Sequence, residues 1–230
     1  MSEAQEFKYI GQRTIRPDGF DKVTGRATYG ADLTLPGMIW GKTLRSPHAH
    51  AKILSIDTSK AEAHPDVMSV ATFKDFVTLQ SESVAGTEGA AGVLDVARNC
   101  LADDKVLYHG HAIAAIAART ERAAKDALGL IDVEYELLPP VMDVEDAMME
   151  DSPVLHDDMF TAGYDEKPSK ASNIATRVEM KMGDVEAGFA EADIIVEREF
   201  RTPTAHQGYI EPHACTVTYD ENGQSMVWCC

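Results

Sequence analysis

The chain of 230 residues is 44% hydrophobic and 26% charged, which is ordinary for a folded protein with a sizeable core. Its 21 basic and 38 acidic residues leave a net charge of −17, and a surface this acidic argues against binding to nucleic acid or to anionic membranes. The longest apolar run, Ala112–Ala118, is too short to span a bilayer, and the first residues carry no export signal, so we expect a soluble cytoplasmic protein.

Short strands that alternate with short helices are predicted in the first half of the chain. Alternating apolar and polar side chains indicate the strands, and Thr120 favours a helix because its hydroxyl can accept from free N–H groups of the first turn. The small-residue segment 80–99 is predicted to be a mobile surface loop. The predicted strands cover 38–44, 53–57, 67–72, 105–109, 112–118 and 131–137, and the predicted helical segments cover 59–63, 73–79 and 121–130.

Fewer elements are predicted beyond residue 140. An irregular stretch with Pro and Gly runs to about residue 172, and we place the boundary between two lobes within it. In the second lobe, Asn222-Gly223 favours a hairpin with a type I′ turn. The predicted elements are helices over 143–149 and 184–192, a long strand over 193–203, and the hairpin strands 214–219 and 224–228. Together the two halves indicate an α+β fold.

Two His-x-His pairs, His48/His50 and His109/His111, are candidate metal-binding positions. Positions i and i+2 of a strand share a face, so each pair could offer two imidazoles to one metal ion. A third ligand would have to come from elsewhere, and no spacing in the sequence identifies it. The alternative interpretation is that backbone hydrogen bonds near turns satisfy these histidines. A metal-dependent hydrolase therefore stays open as a hypothesis.

The segment 204–213, Thr-Ala-His-Gln-Gly-Tyr-Ile-Glu-Pro-His, is polar, aromatic and rich in turn residues. Loops held by a sheet often carry binding groups, and Pro212 keeps the backbone of Glu211 extended, which aims its carboxylate. The alternative is a hydrogen-bonded connection in which nearby N–H groups hold Glu211. The chain contains no dinucleotide-binding, Walker-type or nucleophile-elbow motif, and no carboxylate pair is spaced for acid–base work, so the sequence names no catalytic residue.

Negative charge and cysteine are distributed unevenly along the chain. Twelve acidic and no basic residues lie in 132–166, so this segment carries most of the net charge. It is interpreted either as a solvated face or as a docking surface for a partner subunit. The cysteines at positions 100, 215, 229 and 230 form no CxxC pair and are expected to be buried thiols in a reducing compartment.

Several short motifs follow one another along almost the whole chain. They are Asp21-Lys-Val-Thr-Gly-Arg-Ala-Thr-Tyr, Pro36-Gly-Met, Arg45-Ser-Pro-His-Ala-His-Ala-Lys-Ile, Leu101-Ala-Asp-Asp-Lys-Val-Leu-Tyr-His-Gly-His, Val133-Glu-Tyr-Glu-Leu-Leu-Pro, Gly183-Asp184, Ala192-Asp193 and His206-Gln-Gly-Tyr-Ile-Glu-Pro-His. This ordered series resembles the large subunit of the molybdenum hydroxylases, the xanthine dehydrogenase and aldehyde oxidase family. The last motif is most similar to the bacterial carbon monoxide dehydrogenase-like and hydroxybenzoyl-CoA reductase-like branch.

The resemblance implies three regions: an α/β hammerhead domain over 18–140, an acidic connector over 141–171, and the incomplete start of a molybdopterin-binding domain over 172–230. It implies hydroxylation of an aldehyde or an N-heteroaromatic-type substrate with water as the oxygen source. The complete enzyme would use a molybdopterin-type molybdenum cofactor, and electrons would leave through iron–sulfur clusters and FAD on partner subunits or domains. Gln207 and Glu211 are the candidates for supporting contacts beside the cofactor.

In the family, the strand that ends near Trp228 continues into a segment whose glutamine lies beside the molybdenum, whereas this sequence reads Trp228-Cys-Cys. We therefore expect the N-terminal portion of a large subunit, from a split gene or a truncation, that holds no cofactor and is inactive alone. Its expected partners are the remaining half of the molybdopterin subunit and the iron–sulfur and FAD subunits. The alternatives are a non-catalytic docking module for flavin or iron–sulfur partners and the His-x-His hydrolase.

Overall fold

The strand β7, Ala112–Ala118, is buried at the centre of a three-stranded sheet. The computed structural model describes residues 7–76, 83–86 and 89–229. β7 lies between β1 (Trp40–Arg45) and β3 (Val67–Thr72) and pairs antiparallel with both. A strand with neighbours on both sides has its hydrogen bonds satisfied, and its apolar run can then be buried on both faces.

The alanines of β7 allow close packing of a helix on the sheet. The helix α4 (Glu121–Leu128) begins where the Thr120 hydroxyl accepts a hydrogen bond from the Ala123 N–H at 3.1 Å, as a capping residue does. Small side chains on both surfaces bring the helix near the strand, and Ile116 fills the remaining space. The buried members of this cluster are Ala61, Ala114, Ile116, Ala118, Ala123, Ala124, Ala127 and Ile131.

A second three-stranded sheet lies beside the first and shares the core. Its order is β6 (Lys105–Val106), β2 (Ala51–Asp57) and β8 (Asp132–Leu137), with antiparallel pairing throughout. Ile113 of β7 is fully buried in a cluster with Ala51, Ala102 and Val106. The next residue, Ala114, belongs to the first cluster, because successive side chains of a strand point to opposite faces of the sheet. The acidic residues of β8, Asp132, Glu134 and Glu136, are exposed, whereas Val133 and Tyr135 between them are half-buried.

The described chain divides into two units. The larger unit is Met38–Ile195, and the smaller unit consists of the described parts of Met1–Gly37 and Val196–Cys230. The remaining elements of the larger unit are α2 (Ser59–Glu62), a 3-10 turn (Phe73–Asp75), β4 (Ser83–Gly86), β5 (Gly89–Gly92), α3 (Val93–Cys100), α5 (Val144–Met148) and α6 (Val185–Glu191). The elements of the smaller unit are α1 (Gly19–Val23), a 3-10 turn (Gly30–Asp32) and the hairpin of β9 (Cys215–Tyr219) and β10 (Ser225–Cys229).

The predicted α+β fold is confirmed, and two predicted elements are wrong. The helix α3 covers part of the segment predicted as a loop. Ala97 of α3 and Leu101, four residues later, are both buried, but the small residues nearby make this helical pattern hard to recognise in the sequence. The paired strands β4 and β5 also lie within that predicted loop. Residues 80–82 and 87–88 of the loop, and 77–79 of the predicted helix 73–79, lie outside the described residues. The predicted strand 193–203 is absent: this stretch has no paired strand and is exposed throughout.

The hairpin forms as predicted, but its turn is not type I′. Asn222 has a negative φ, and only Gly223 adopts a positive one, 81°. The Gly223 N–H donates to the Asp220 carbonyl at 3.1 Å, and the Asp220 carboxylate accepts from the N–H groups of Asn222 and Gln224. These bonds make a type I turn followed by a left-handed glycine, the usual three-residue hairpin loop. The predicted type I′ turn is wrong because the Asp220 carboxylate supplies an acceptor that favours this other loop.

Candidate functional site

The carboxylate of Glu211 is attached to the 3-10 turn of the smaller unit. Its Oε1 accepts a hydrogen bond from the Gly30 N–H at 3.3 Å. That turn is itself closed by the Tyr29 N–H, which donates to the Asp32 carboxylate at 2.9 Å. Glu211 therefore links two segments that are 181 residues apart in sequence. The predicted alternative, in which nearby N–H groups hold Glu211, does not include a partner as distant in sequence as Gly30.

Three rings organise the loop that contains Gln207. Tyr209 contacts His206 and His213 edge to face, with ring centroids 6.0 Å and 5.6 Å apart. The Gly208 N–H donates to Nδ1 of His206 at 3.0 Å, and Gly208 has a positive φ of 75°, which glycine adopts without strain. Gln207, between His206 and Gly208, is exposed and carries both a donor and an acceptor.

His111 is a core histidine rather than a metal ligand. Its side chain is only 1% exposed, and both ring nitrogens face backbone groups. The Leu107 N–H donates to Nδ1 at 3.3 Å, so Nε2 carries the proton and donates to the Arg98 carbonyl at 2.8 Å. Burial lowers the pKa of His111, with a smaller contribution of the same sign from His156.

The other members of the His-x-His pairs do not assemble a metal site. Neither pair lies in a strand: the chain bends through His48 and His50, and a turn at Gly110 follows His109. His50 uses Nδ1 on the Pro139 carbonyl at 2.8 Å, while its Nε2 is buried without a hydrogen-bond partner. Among the described residues no three His, Cys, Asp or Glu side chains are placed to hold a metal ion, so the hydrolase hypothesis has no support.

Several carboxylates of the acidic segment 132–166 are paired with basic side chains of the same unit. Asp158 accepts from Arg98 at 2.8 Å and Asp157 from Lys105 at 2.7 Å, beside a polar cavity of about 200 Å³. The Arg98 guanidinium holds the pKa of Asp158 below its usual range. Asp132 likewise pairs with Lys60 at 2.6 Å. Neither earlier interpretation of the segment included these internal contacts.

Asn173 holds the connector, residues 141–171, in a fixed conformation. Its side-chain oxygen accepts from the Leu155 N–H at 2.9 Å, and its amide nitrogen donates to the Pro153 carbonyl at 3.0 Å. Further along, the Arg177 N–H donates to the Ala162 carbonyl at 2.8 Å. No motif surrounds Asn173, so this role could not be predicted from the sequence.

The cysteines are not buried as expected. Cys100, Cys215 and Cys229 are free and exposed, and Cys230 lies outside the described residues.

In the part of the chain that is described, no helix has the length and apolar character needed to cross a membrane.

Comparison with known proteins identifies both regions. The profile of the "aldehyde oxidase and xanthine dehydrogenase, a/b hammerhead domain" matches residues 24–139, and that of the "molybdopterin cofactor-binding domain" matches residues 166–230. The nicotinate dehydrogenase large molybdopterin subunit of Eubacterium barkeri is 33% identical over 97% of this chain and 47% of its own length. The carbon monoxide dehydrogenase large chain of Afipia carboxidovorans is 33% identical over 98% of this chain and 27% of its own.

Solved structures agree with these relatives. CO dehydrogenase from Oligotropha carboxidovorans superposes with a TM-score of 0.77 at 32% identity, covering 95% of this chain and 27% of that one. Quinoline 2-oxidoreductase from Pseudomonas putida 86 gives 0.77 at 29% identity, covering 97% of this chain and 27% of that one. The chain thus spans about half or less of the length of these relatives. It belongs to the aldehyde oxidase and xanthine dehydrogenase family of molybdenum hydroxylases.

Proposed function

We propose that this chain is the N-terminal portion of the large subunit of a molybdenum hydroxylase that oxidises an aldehyde or an N-heteroaromatic-type compound, with water as the oxygen source. The names of two relatives, nicotinate dehydrogenase and quinoline 2-oxidoreductase, support the N-heteroaromatic class. We divide the chain into a hammerhead domain over 18–140, the connector, and part of the cofactor domain over 172–230. Iron–sulfur and FAD partner subunits would accept the electrons.

The absence of a core in the smaller unit carries this proposal. Every buried hydrophobic side chain of the described residues lies between Ala51 and Ile131, and none lies in 7–37 or 196–229. Large apolar side chains there are exposed instead, among them Phe200 at 88% and Ile210 at 98%. Burying apolar surface contributes about 25 cal/mol per Å², so a unit without buried side chains needs further polypeptide to become stable.

The loop around Gln207 suits a place beside a molybdopterin cofactor. When bound, that cofactor supplies the redox chemistry, and the protein holds it through hydrogen bonds. The exposed amide of Gln207 can donate and accept, as the polar edge of a pterin requires. Glu211 is already engaged by the Gly30 N–H, so we assign it to positioning the loop rather than to contacting the cofactor.

The test combines this chain with the part of a relative's large chain that has no counterpart in this chain, together with the partner subunits of that relative. We expect the chain alone to contain no stoichiometric molybdenum by elemental analysis and to reduce no dye acceptor with nicotinate, quinoline or benzaldehyde. The combined complex should contain molybdenum and should reduce the dye acceptor with at least one of these three compounds. Turnover by the chain alone, or a combined complex that neither binds molybdenum nor oxidises any of the three, contradicts the proposal.

Substitutions in the loop separate the two assigned roles. Gln207→Ala in the complex should lower the molybdenum content while the loop keeps its structure. Glu211→Gln keeps an oxygen that can accept from the Gly30 N–H, so it should retain molybdenum, whereas Glu211→Ala should increase amide exchange over 204–213. Equal molybdenum content in wild type and Gln207→Ala would remove Gln207 from the site.

A further inference from the structure

Cys215 and Cys229 lie directly opposite each other in the hairpin of β9 and β10. The register pairs Cys215 with Cys229 without a shift along the strands. Directly opposite residues of an antiparallel pair place their side chains on the same face of the sheet. Both cysteines are free and exposed. The chain therefore carries two accessible thiols on one face at one rung of a ladder.

The hydrogen-bond pattern of the hairpin indicates the closer of the two pair types. At the turn, the Asp220 N–H donates to the Gln224 carbonyl at 3.0 Å, so this pair is hydrogen-bonded. Hydrogen-bonded and non-hydrogen-bonded pairs alternate along an antiparallel ladder, and Cys215 is five residues before Asp220. Cys215 and Cys229 therefore form a non-hydrogen-bonded pair, in which Cα atoms are about 4.5 Å apart. Disulfides occur at Cα separations of about 4.4–6.8 Å, so the backbone already permits the bond.

We propose that Cys215 and Cys229 form a reversible cross-strand disulfide, a redox modification site on the hairpin. With glutathione disulfide as the oxidant, one protein thiolate attacks a glutathione sulfur and releases one glutathione. The second protein thiol then attacks the mixed disulfide and releases the other glutathione. In total, two thiols are oxidised to one disulfide, glutathione disulfide is reduced to two glutathiones, and the two thiol protons pass to the products.

Exposure makes this bond responsive rather than permanent. A solvent-exposed disulfide at the short end of the Cα range is open to attack by thiols and is reduced more readily than a buried one. Closing it joins the two ends of the hairpin covalently, so opening of the strands becomes costlier. Cys100 provides an internal comparison, because it is exposed on α3 and the sequence of the larger unit, Met38–Ile195, contains no other cysteine.

The test uses the full chain as a Cys230→Ser variant, which removes the neighbouring thiol and leaves Cys100, Cys215 and Cys229. After equilibration with glutathione disulfide, the protein is blocked with a maleimide and cleaved after acidic residues. Asp220 and Glu221 lie between the two cysteines, so such cleavage separates them unless a disulfide joins the fragments. We expect a linked pair of fragments that dithiothreitol separates, while Cys100 carries only bound glutathione.

The kinetics give a second measure. Glutathione should leave the Cys215–Cys229 pair at least about tenfold faster than it leaves Cys100, because the second thiol is held beside the first. In the Cys230→Ser background, Cys229→Ser should convert Cys215 to a stable glutathione adduct, and Cys100→Ser should leave the linked fragments unchanged. Stable glutathione adducts at both Cys215 and Cys229, or a link from either cysteine to Cys100, would overturn the proposal.

Discussion

At the scale of single residues, His111 shows how the fold determines a protonation state. Its Nδ1 accepts from the Leu107 N–H and its Nε2 donates to the Arg98 carbonyl, so the imidazole carries one proton and is neutral. Protonation would put a second N–H against the Leu107 N–H inside the core. The lowered pKa of His111 therefore implies that stability is fully present above the unfolded pKa of about 6.5 and is lost as the pH falls towards the folded value.

We accordingly expect the melting temperature to fall between about pH 7 and pH 5 with a component that belongs to His111. The variant His111→Gln should be less stable at pH 7 and should lose this component, since glutamine does not titrate. His109→Gln is the matched control, because His109 is two residues away and exposed. Melting curves of the three proteins across this range decide the matter: a pH dependence that His111→Gln leaves unchanged would assign it to other groups.

Gly163 is required by both its backbone angle and its surroundings. Its φ is 87°, and a Cβ atom there would overlap the Arg177 carbonyl. We expect the strained φ alone to make Gly163→Ala destabilise the connector by about 1–3 kcal/mol, and the overlap with the Arg177 carbonyl to add to this. Gly188→Ala is the control: Gly188 lies in α6, a Cβ would meet nothing within 4 Å, and alanine should stabilise that helix by about 0.5–1 kcal/mol. Hydrogen exchange over 159–177 measures the first effect, and equal protection in wild type and Gly163→Ala would contradict it.

At the scale of elements, ion pairs hold the connector to the rest of the larger unit. Arg98 lies at the end of α3 and Lys105 in β6, and their carboxylate partners Asp158 and Asp157 are adjacent in the connector. The Lys105 side chain is only 12% exposed, but its partner Asp157 is 77% exposed, so solvent screens this pair as well. Since each pair contributes at most about 1 kcal/mol, the two together fix the position of the connector rather than the stability of the fold.

Replacing both carboxylates, in Asp157→Asn/Asp158→Asn, should lower amide protection over 153–162 by up to about fivefold for each pair lost. In the wild type, 0.5 M salt should produce part of the same effect, and in the variant it should produce little, because screening acts on the charges that were removed. Glu150→Gln/Asp151→Asn is the matched control, with the same change in net charge at exposed positions of the same segment. Equal loss of protection in both double variants would mean that net charge, not pairing, holds the connector.

The sequence predicts elements that depend on local pattern and misses those that depend on distant partners. β7 and the Thr120 cap are recognisable because an apolar run and a capping residue act within a few positions. The stretch 193–203 has the pattern of a strand, yet a strand also needs a neighbour that the described chain does not supply. Likewise, the bond from Gly30 to Glu211 joins residues that no sequence spacing brings together.

At the scale of the whole molecule, the free energy of folding is concentrated in one of the two units. The clusters around Ile113 and Ile116 contain twelve of the fifteen buried hydrophobic side chains of the described residues, and all fifteen lie within Met38–Ile195. Local opening requires little free energy where few apolar contacts are lost. The smaller unit should therefore exchange its amide hydrogens much faster than β7 in the isolated chain, and it should gain protection when the rest of the cofactor domain is supplied.

Two isoleucine substitutions test this division directly. Ile116→Ala removes a side chain that is 1% exposed and should lower the free energy of unfolding by about 2–5 kcal/mol, from the lost burial and the cavity it leaves. Ile210→Ala removes one that is 98% exposed and should change it by less than about 0.5 kcal/mol in the isolated chain. In the combined complex, Ile210→Ala should weaken association if that side chain becomes buried there. Denaturant unfolding measures the free energy of unfolding, and a binding titration measures the affinity of association. A loss above about 2 kcal/mol for Ile210→Ala in the isolated chain would show that the smaller unit has a core of its own.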